Sequence, residues 1–332
     1  MSSFTFGIGV FPSEESESAL KVVEAVRQAE EAGFDFAWIP DTQGIFRDLY
    51  VTMTLCARET SRIRIGTGVT NPITRHPAVT ARAIGTLDEV WPGRILLGIG
   101  AGDTAFRHLG LSPLRPRECE EAVRCLRRLL AGEEGEFQGA RVPRLLNYEG
   151  RRVPIYLAAN GPKMLRTAGR VADGVLASVG ASEELVRYAV EAVRAGAEGA
   201  GRDPGEVQIA LHIGCDISEN GDEARENVKT YVARRVIAPL PAHLTGFTEE
   251  ERERFQRGYA LRDHLQVGAS HARMVPDAWV DRFSLAGTAA ECLEKVRRFA
   301  KWGVQQLFIL PTTRESAALI QIFRREIIPH FR

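Results

Sequence analysis

The sequence comprises 332 residues, of which 44% are hydrophobic and 26% are charged. This length and composition allow a full hydrophobic core and exclude an intrinsically disordered chain. Lysine plus arginine number 43, and so do aspartate plus glutamate, so no net charge favours nucleic acid or an anionic membrane. We therefore expect a small-molecule partner, no nucleic acid and no membrane.

The amino-terminal segment has neither a basic region nor a long apolar stretch, and no run of about 18 apolar residues occurs elsewhere. We therefore predict a cytoplasmic protein. The cysteines are scattered and form no CxxC pair, which indicates buried free thiols: Cys56, Cys119, Cys125, Cys215 and Cys292. The sequence has no HExxH, GxSxG or GxxxxGK[ST] motif, so we predict no metal site, serine nucleophile or P-loop.

Short β-rich runs alternate with longer amphipathic segments, a pattern typical of a parallel sheet covered by helices. The predicted strands are Thr5–Val10, Phe34–Ile39, Ile63–Val69, Arg94–Ile99, Ile155–Ala159, Gly174–Ser178, Val207–Ile213 and Val304–Leu310. Eight units predict an α/β fold of the (β/α)8 TIM-barrel type, because an open doubly wound sheet usually has fewer strands and a glycine-rich turn after the first.

Helices are predicted between these strands. In Ser18–Ala32 the apolar residues recur at helical spacing, and Gly33 is a natural carboxyl-terminal cap. The segment Glu183–Ala200 repeats the pattern. Both segments therefore fit the helical layer of a barrel.

Two regions break the alternation and are predicted to be insertions. They are Glu133–Arg152, before strand five, and Pro239–Ser284, between strands seven and eight. The second contains the charged run FTEEERERFQRGYALRDHL, which we expect to be helical and to cover the barrel mouth or to form an oligomer contact. Without a linker or an internal repeat, we predict one domain over residues 1–332.

Barrel enzymes carry their functional groups on the loops that follow the strands. Here these loops are rich in glycine, asparagine and aspartate. Asp41 and Thr42 follow strand two, and Asp103 follows strand four. These positions are the first candidates for catalysis and for substrate contact.

The segment Gly98–Asp103, GIGAGD, only superficially resembles a dinucleotide fingerprint, because the third glycine is missing and the segment lies after strand four. In a barrel, Gly100, Ala101 and Gly102 allow a flat ring to approach the backbone, with Asp103 at its edge. The alternative is that Asp103 only caps the following helix.

A candidate anion site follows strand five, in the segment Ala159, Asn160, Gly161, Pro162, Lys163 and Met164. Proline is favoured in the first turn of a helix, whose free N–H groups would then point towards the barrel mouth. Together with the lysine they suit a phosphate. Gly180 and Ser182 introduce a second helix start of this kind, and for both the alternative is ordinary capping without a ligand.

Strand three has two glycines in an otherwise β-branched run, which indicates a bulge or a close backbone approach. The candidate cofactor contacts here are Gly66, Thr67, Gly68, Val69, Thr70 and Asn71. Arg75 and His76 precede Pro77 on a non-helical loop. With Thr42 they are candidate substrate contacts, although a single histidine is more often structural.

Four segments, GFDFAWIPD, IGTGVTNPITRHP, PGRILLGIGAGD and AANGPKMLRTAGRVADGV, together resemble the luciferase-like monooxygenase family. The resemblance is to its deazaflavin branch, typified by methylenetetrahydromethanopterin reductase, and it covers most of the chain. It implies a flavin-type ring against a bulge in strand three, where family members carry a non-prolyl cis peptide. The matching bond is Gly68–Val69. It also implies cofactor phosphate near the helix that starts at Gly161.

Two positions depart from the family pattern. Thr42 follows Asp41 where many deazaflavin enzymes have a histidine, and Gly9 lies where the reductases tend to have an acidic residue. Asp103 matches the family's acidic position after strand four. We therefore predict Asp103 as the catalytic acid, with Asp41 as its substitute.

The resemblance implies hydride transfer between reduced coenzyme F-420, a deazaflavin, and a small organic substrate that includes pterin- or folate-like compounds. One alternative is an FMN-dependent monooxygenase that uses the same pocket. Two others are a non-catalytic flavin-binding protein and a sugar-phosphate barrel enzyme. We also expect a homodimer or a higher homo-oligomer.

Overall fold

The computed structural model describes residues 4–10, 18–102, 105–106, 109–258, 270–312 and 316–332. Its strands are β1 (Thr5–Gly9), β2 (Phe36–Ile39), β3 (Arg64–Thr67), β4 (Ile95–Ile99), β5 (Gly135–Phe137), β6 (Ala140–Val142), β7 (Ile155–Ala159), β8 (Gly174–Ala177), β9 (Gln208–Ile217), β10 (Leu285–Gly287) and β11 (Gln306–Pro311). The α-helices are Ala19–Ala32, Leu49–Arg58, Pro77–Val90, Pro116–Leu130, Pro162–Val171, Glu183–Glu198, Gly221–Asn227, Lys229–Val236, Ala242–Thr245, Glu249–Gly258, Asp277–Phe283, Ala289–Lys301 and Ser316–Ile322. None of these helices is long and apolar enough to span a bilayer.

Eight parallel strands close into a barrel in the order β11, β1, β2, β3, β4, β7, β8, β9. Closure is complete because β9 pairs with β8 on one side and with β11 on the other. The short strand β10 pairs with the carboxyl-terminal part of β9, where Leu285 faces Cys215. The predicted (β/α)8 barrel is therefore confirmed, and all eight barrel strands overlap the predicted ones.

Local signals set the ends of the first helix. The Ser18 side chain accepts a hydrogen bond from the Leu20 N–H, and Gly33 ends the helix in the left-handed conformation, with φ of 92°. A residue with a Cβ adopts this conformation only at a cost, which is why glycine is common there. The helix Glu183–Glu198 likewise begins after Ser182. Both predicted helices are confirmed, the second two residues shorter than expected.

Both predicted insertions contain structure of their own. The first holds the antiparallel hairpin of β5 and β6, whose turn residues Gln138 and Gly139 both have positive φ. The second includes the helices Ala242–Thr245, Glu249–Gly258 and Asp277–Phe283. The expected charged helix is present over Glu249–Gly258, and residues 259–265 of that run lie outside the described residues. That the whole chain forms one domain stays a prediction.

The barrel interior is filled by aromatic and aliphatic side chains. Its members are Phe36, Trp38, Leu96, Tyr156, Leu176, Ala210 and Phe308. Trp38 is fully buried and stacks on Phe308 with 5.4 Å between ring centroids. A larger core lies between the strands and the helices, and all five cysteines are buried and unpaired, as predicted. The filled interior forms a floor beneath the carboxyl ends of the strands.

Candidate active site

The carboxyl ends of the strands surround a concave opening, here called the mouth. Side chains alternate along a strand, so inward-facing positions recur every second residue. Above the aromatic floor these positions carry small or polar residues: Gly68, Gly100, Ala158, Asn160, Ser178 and His212. Gly68, Val69, Ala158, Asn160 and His212 remain partly exposed there. Small and polar residues therefore line the mouth above Trp38.

The backbone of strand three approaches its neighbours closely at the predicted bulge. The peptide bond Gly68–Val69 is cis, as the family resemblance implied. A Cβ on Gly66 would lie 2.6 Å from the Trp38 ring, and one on Gly68 would lie 2.7 Å from the Trp38 Cβ. Both glycines are thus required by the tryptophan beneath them.

The bulge interrupts the pairing of β3 with β4, which resumes at the bridge between Thr70 and Ile99. Where the pairing is interrupted, the Thr67 hydroxyl forms hydrogen bonds with the main chain of Gly98. It donates to the Gly98 carbonyl oxygen and accepts from the Gly98 N–H at 2.8 Å. A Cβ on Gly98 would lie 2.1 Å from the Thr67 carbonyl oxygen. Thr67 therefore has a structural role in the outer part of the bulge.

A buried ion pair lies beside the bulge. Arg75 donates from Nε and Nη2 to the two carboxylate oxygens of Asp41, at 2.9 and 3.1 Å. The hydroxyl of Thr70 donates to the same carboxylate at 2.6 Å. The Asp41 side chain is only 2% exposed, so its charge is stabilised by these donors rather than by water. Its role in proton transfer stays a prediction.

Arg75 is held by further contacts that the sequence analysis missed. It donates to Asp48 at 2.9 Å and lies over the Tyr50 ring, 4.8 Å from the centroid. Burial opposes its charge, but hydrogen bonds and attraction from Asp41 and Asp48 raise the pKa of Arg75 above its ordinary value. Arg75 is thus a permanent cation whose charge is neutralised within this wall.

Two other candidates near this wall have local partners. The Asn71 side chain accepts from the Ile73 and Thr74 N–H groups. The Thr42 carbonyl accepts from the N–H groups of Ile45 and Phe46 in a turn. Their side-chain roles in binding stay predictions.

His76 caps the helix Pro77–Val90. Its Nδ1 accepts from the Ala78 N–H at 3.2 Å, and its ring contacts the edge of Phe137 with 5.6 Å between centroids. The residue is exposed and sits against the β5–β6 hairpin. This geometry supports the structural alternative for His76, and its contact with substrate stays a prediction.

The helix Pro162–Val171 begins at Gly161 without any side-chain cap, and Lys163 is exposed in its first turn. The Asn160 carbonyl accepts from the Tyr188 hydroxyl at 3.4 Å. The first-turn N–H groups are the expected place for an anion. Met164 is half-buried, while Ala159 faces the outer core and offers only its backbone.

The second predicted helix start differs. The Ser182 hydroxyl accepts from the Leu185 N–H, so this helix is capped by its own side chain. Gly180 is buried with φ of 123°, and a Cβ there would lie 2.9 Å from Leu185 and Phe283. These contacts favour the ordinary-capping alternative at this position.

Asp103 lies outside the described residues. Before it, Gly102 has φ of 75°, and a Cβ there would lie 2.6 Å from the Phe106 ring. The Ala101 carbonyl accepts from the Leu114 N–H at 2.8 Å. A Cβ on Gly100 would lie 3.0 Å from Val69, so glycine at this position keeps the mouth open beside the bulge.

A polar network opposite the bulge was missed by the sequence analysis. Arg235 donates to the carbonyl and hydroxyl oxygens of Ser178 at 2.8 and 2.6 Å. The Ser178 hydroxyl contacts His212 Nδ1 at 3.2 Å and the Tyr231 hydroxyl at 3.4 Å. Burial, helped by the Arg235 charge, lowers the pKa of His212 to about 3. His212 is therefore neutral at physiological pH.

Comparisons with known proteins agree with this architecture. Residues 1–306 match the luciferase-like monooxygenase family. The 5,10-methylenetetrahydromethanopterin reductase of Methanolobus tindarius is 35% identical, and the alignment covers 98% of this chain and 99% of the relative. The F-420-dependent glucose-6-phosphate dehydrogenase of Mycolicibacterium fortuitum is 27% identical, with 98% of each chain covered.

A solved structure is also similar over its whole length. The coenzyme F-420-dependent tetrahydromethanopterin reductase from Methanopyrus kandleri superposes with a TM-score of 0.85 at 29% identity, covering 99% of this chain and 100% of the other. The family match and the superposition agree with the barrel. This chain therefore belongs to the luciferase-like monooxygenase family.

Proposed function

We propose that this chain is an oxidoreductase that uses coenzyme F-420 to transfer a hydride to or from a small organic substrate. The observation that carries this proposal is the mouth itself, where the small residues Gly68, Gly100 and Ala158 lie at inward positions above Trp38. A Cβ on Gly68 would lie 2.7 Å from Trp38 and one on Gly100 would lie 3.0 Å from Val69, so no larger residue fits at either position. A deazaflavin ring is flat and supplies the hydride chemistry when bound, and relatives over nearly the full length are named as F-420-dependent enzymes.

Each part of the proposed site has a different task. The Gly68–Val69 bulge and Gly100 form the wall against which a ring rests. The first turn of the helix that begins at Gly161, with Lys163, holds the cofactor phosphate through N–H groups, helix dipole and one positive charge. Asp103 exchanges the proton that accompanies hydride transfer.

We propose a substrate of the pterin or folate type. The support is the identity of 35% to a methylenetetrahydromethanopterin reductase, against 27% to a glucose-6-phosphate dehydrogenase. The buried Asp41–Arg75 pair adds to this, because both charges are already paired and neither is left to hold a sugar phosphate.

Titration of the purified protein with coenzyme F-420 and with FMN, followed by absorbance, tests the cofactor. We expect saturable binding of F-420 and reduction or oxidation of its long-wavelength band on addition of a methylene- or methyl-tetrahydropterin. Binding of FMN alone, with oxygen consumption, would instead support the monooxygenase alternative. Binding without any turnover would support the non-catalytic alternative.

The role of Asp103 has its own test. Asp103→Asn keeps the size and polarity of the side chain but removes its titratable proton. We expect turnover to fall by about 100-fold, a usual contribution of a general acid, with the dissociation constant of F-420 unchanged. Wild-type turnover across the pH range would reduce Asp103 to a helix cap and leave Asp41 as the next candidate.

We further propose a homodimer. Val51 and Val79 are exposed on two helices that the Tyr50–Thr80 hydrogen bond joins, and they offer an apolar surface. Sedimentation of the wild type and of Val51→Glu tests this proposal, since a charge in the contact should shift the chain towards monomer.

A cytoplasmic location is also proposed, supported by five unpaired buried thiols.

A further inference from the structure

The wall of the mouth opposite the bulge has one ring nitrogen that no described residue uses. In the barrel order, β9 is separated from β3 by three strands in either direction. His212 lies on β9, one inward position above Ala210 of the floor, and its ring packs on Phe308 with 4.4 Å between centroids. Neighbouring β-strands surround the His212 side chain, but the residue is only partly buried. His212 therefore borders the mouth.

The hydrogen bonds around Ser178 fit a His212 ring that carries its proton on Nε2. The Tyr231 hydroxyl donates to the His212 carbonyl at 3.1 Å, and Arg235 donates to the Ser178 oxygen. The Ser178 hydroxyl has two further contacts, His212 Nδ1 at 3.2 Å and the Tyr231 hydroxyl at 3.4 Å. Donation to the nearer contact makes Nδ1 the acceptor. A neutral imidazole that accepts at Nδ1 carries its proton on Nε2.

The buried charge of Arg235 favours the neutral form of His212. It is 7% exposed, lies over the Tyr231 ring at 5.1 Å, and pairs with no carboxylate among the described residues. A buried cation beside an imidazole disfavours a second positive charge, in agreement with the lowered pKa of His212. The imidazole therefore stays a neutral donor while the serine fixes its orientation.

We propose that His212 Nε2–H donates a hydrogen bond to an oxygen or nitrogen acceptor on the edge of the cofactor ring, remote from the bulge. This inference rests on the proposed function. A flavin-type ring carries such acceptors along one edge, and a ring held between the opposite walls would have the bulge on one side and His212 on the other. Arg235 and Ser178 are positioning residues, because they act through His212.

The test is cofactor affinity and spectrum, measured by absorbance titration with purified coenzyme F-420. His212→Phe keeps the stacking on Phe308 and removes the donor, so we expect F-420 to bind about threefold to tenfold more weakly, with a displaced long-wavelength band. His212→Gln places an amide donor near Nε2 and should restore most of the affinity. Ser178→Ala should fall between them, and the exposed His330→Phe is the matched control.

The outcomes separate the proposals. The inference is overturned if the folded His212→Phe protein binds F-420 with wild-type affinity and spectrum. It is also overturned if the only change in this variant is a higher KM for the substrate. If His212→Phe does not fold, the pair His212→Gln and Ser178→Ala decides: wild-type affinity in both overturns it, and a loss in Ser178→Ala alone supports it. A wild type that binds neither F-420 nor FMN defeats the proposed function and the inference with it.

Discussion

The two walls of the mouth are built in opposite ways. On the bulge side, Arg75 and Asp41 neutralise each other, and Thr67 satisfies the main chain of Gly98. On the opposite side, Arg235 is buried without a carboxylate among the described residues, and His212 has a nitrogen that none of them uses. The charges and backbone groups named on the bulge side are paired with each other, whereas the opposite side has polar groups without a partner among the described residues.

This contrast indicates where a bound ligand contributes free energy. A wall whose charges and backbone groups are already paired gains little from a bound molecule, so its role is to hold shape. A wall with an uncompensated cation and an unused donor gains from an added acceptor, because buried polar groups without partners are costly. Substitutions on the first wall should therefore change stability, and those on the second should change binding and pH dependence.

The largest expected effect is on the bulge side, at Gly98. Gly98→Ala places a Cβ 2.1 Å from the Thr67 carbonyl oxygen, a backbone atom that cannot move without breaking the bulge. We expect the free energy of unfolding to fall by about 3 kcal/mol or more, measured by the urea midpoint. Gly205→Ala is the control, since its nearest atom is a side-chain oxygen of Asp203 in an exposed turn. Equal midpoints for the two variants would refute a rigid bulge.

The second effect concerns the ion pair on the same wall. Arg75→Met leaves the buried Asp41 carboxylate without its bidentate partner and should cost about 2–4 kcal/mol of unfolding free energy. Arg187→Met is the matched control, because its pair with Glu183 is about half exposed on both sides and should cost at most about 0.5 kcal/mol. If both variants lose the same small amount, the wall is not held by this pair.

The third effect is the pH dependence of the opposite wall. His212 has a folded-state pKa of about 3, against about 6.5 in an unfolded chain, so between these values the unfolded state binds the extra proton. Stability is then lost as pH falls. From pH 7 to pH 5 the wild type should lose about 2 kcal/mol relative to His212→Gln, in urea unfolding. A difference that stays constant with pH would mean that His212 is not buried as a neutral group.

The smallest effect is expected at the rim, at Lys163. At fixed salt, Lys163→Ala should weaken F-420 binding about threefold and Lys163→Glu about tenfold, because the lysine contributes one exposed charge beside a helix start. The exposed Lys21→Glu, on the helix Ala19–Ala32, should match the wild type. Equal affinities in the wild type and both Lys163 variants would remove this residue from the phosphate site.

Much of the fold could be predicted from the sequence because its signals are local. Apolar periodicity and caps such as Ser18 and Gly33 act within a few residues of the element that they end. The count of eight strand and helix units was enough to predict the closed barrel. The cis bond at Gly68–Val69 came from the family resemblance, since two glycines in a strand indicate only a bulge.

The partners of the site residues were decided by the tertiary structure. Arg75 and Asp41 are 34 positions apart and Arg235 and Ser178 are 57 apart, so no local pattern pairs them. His212 shows this most clearly: the sequence places it in an apolar strand, where an inward and an outward histidine look alike. Only closure of the barrel turns this position towards the mouth, because β3 and β9 become opposite walls when β9 joins both β8 and β11. Local signals in the sequence specify the elements and their order, whereas closure of the barrel brings together the side chains that share the mouth.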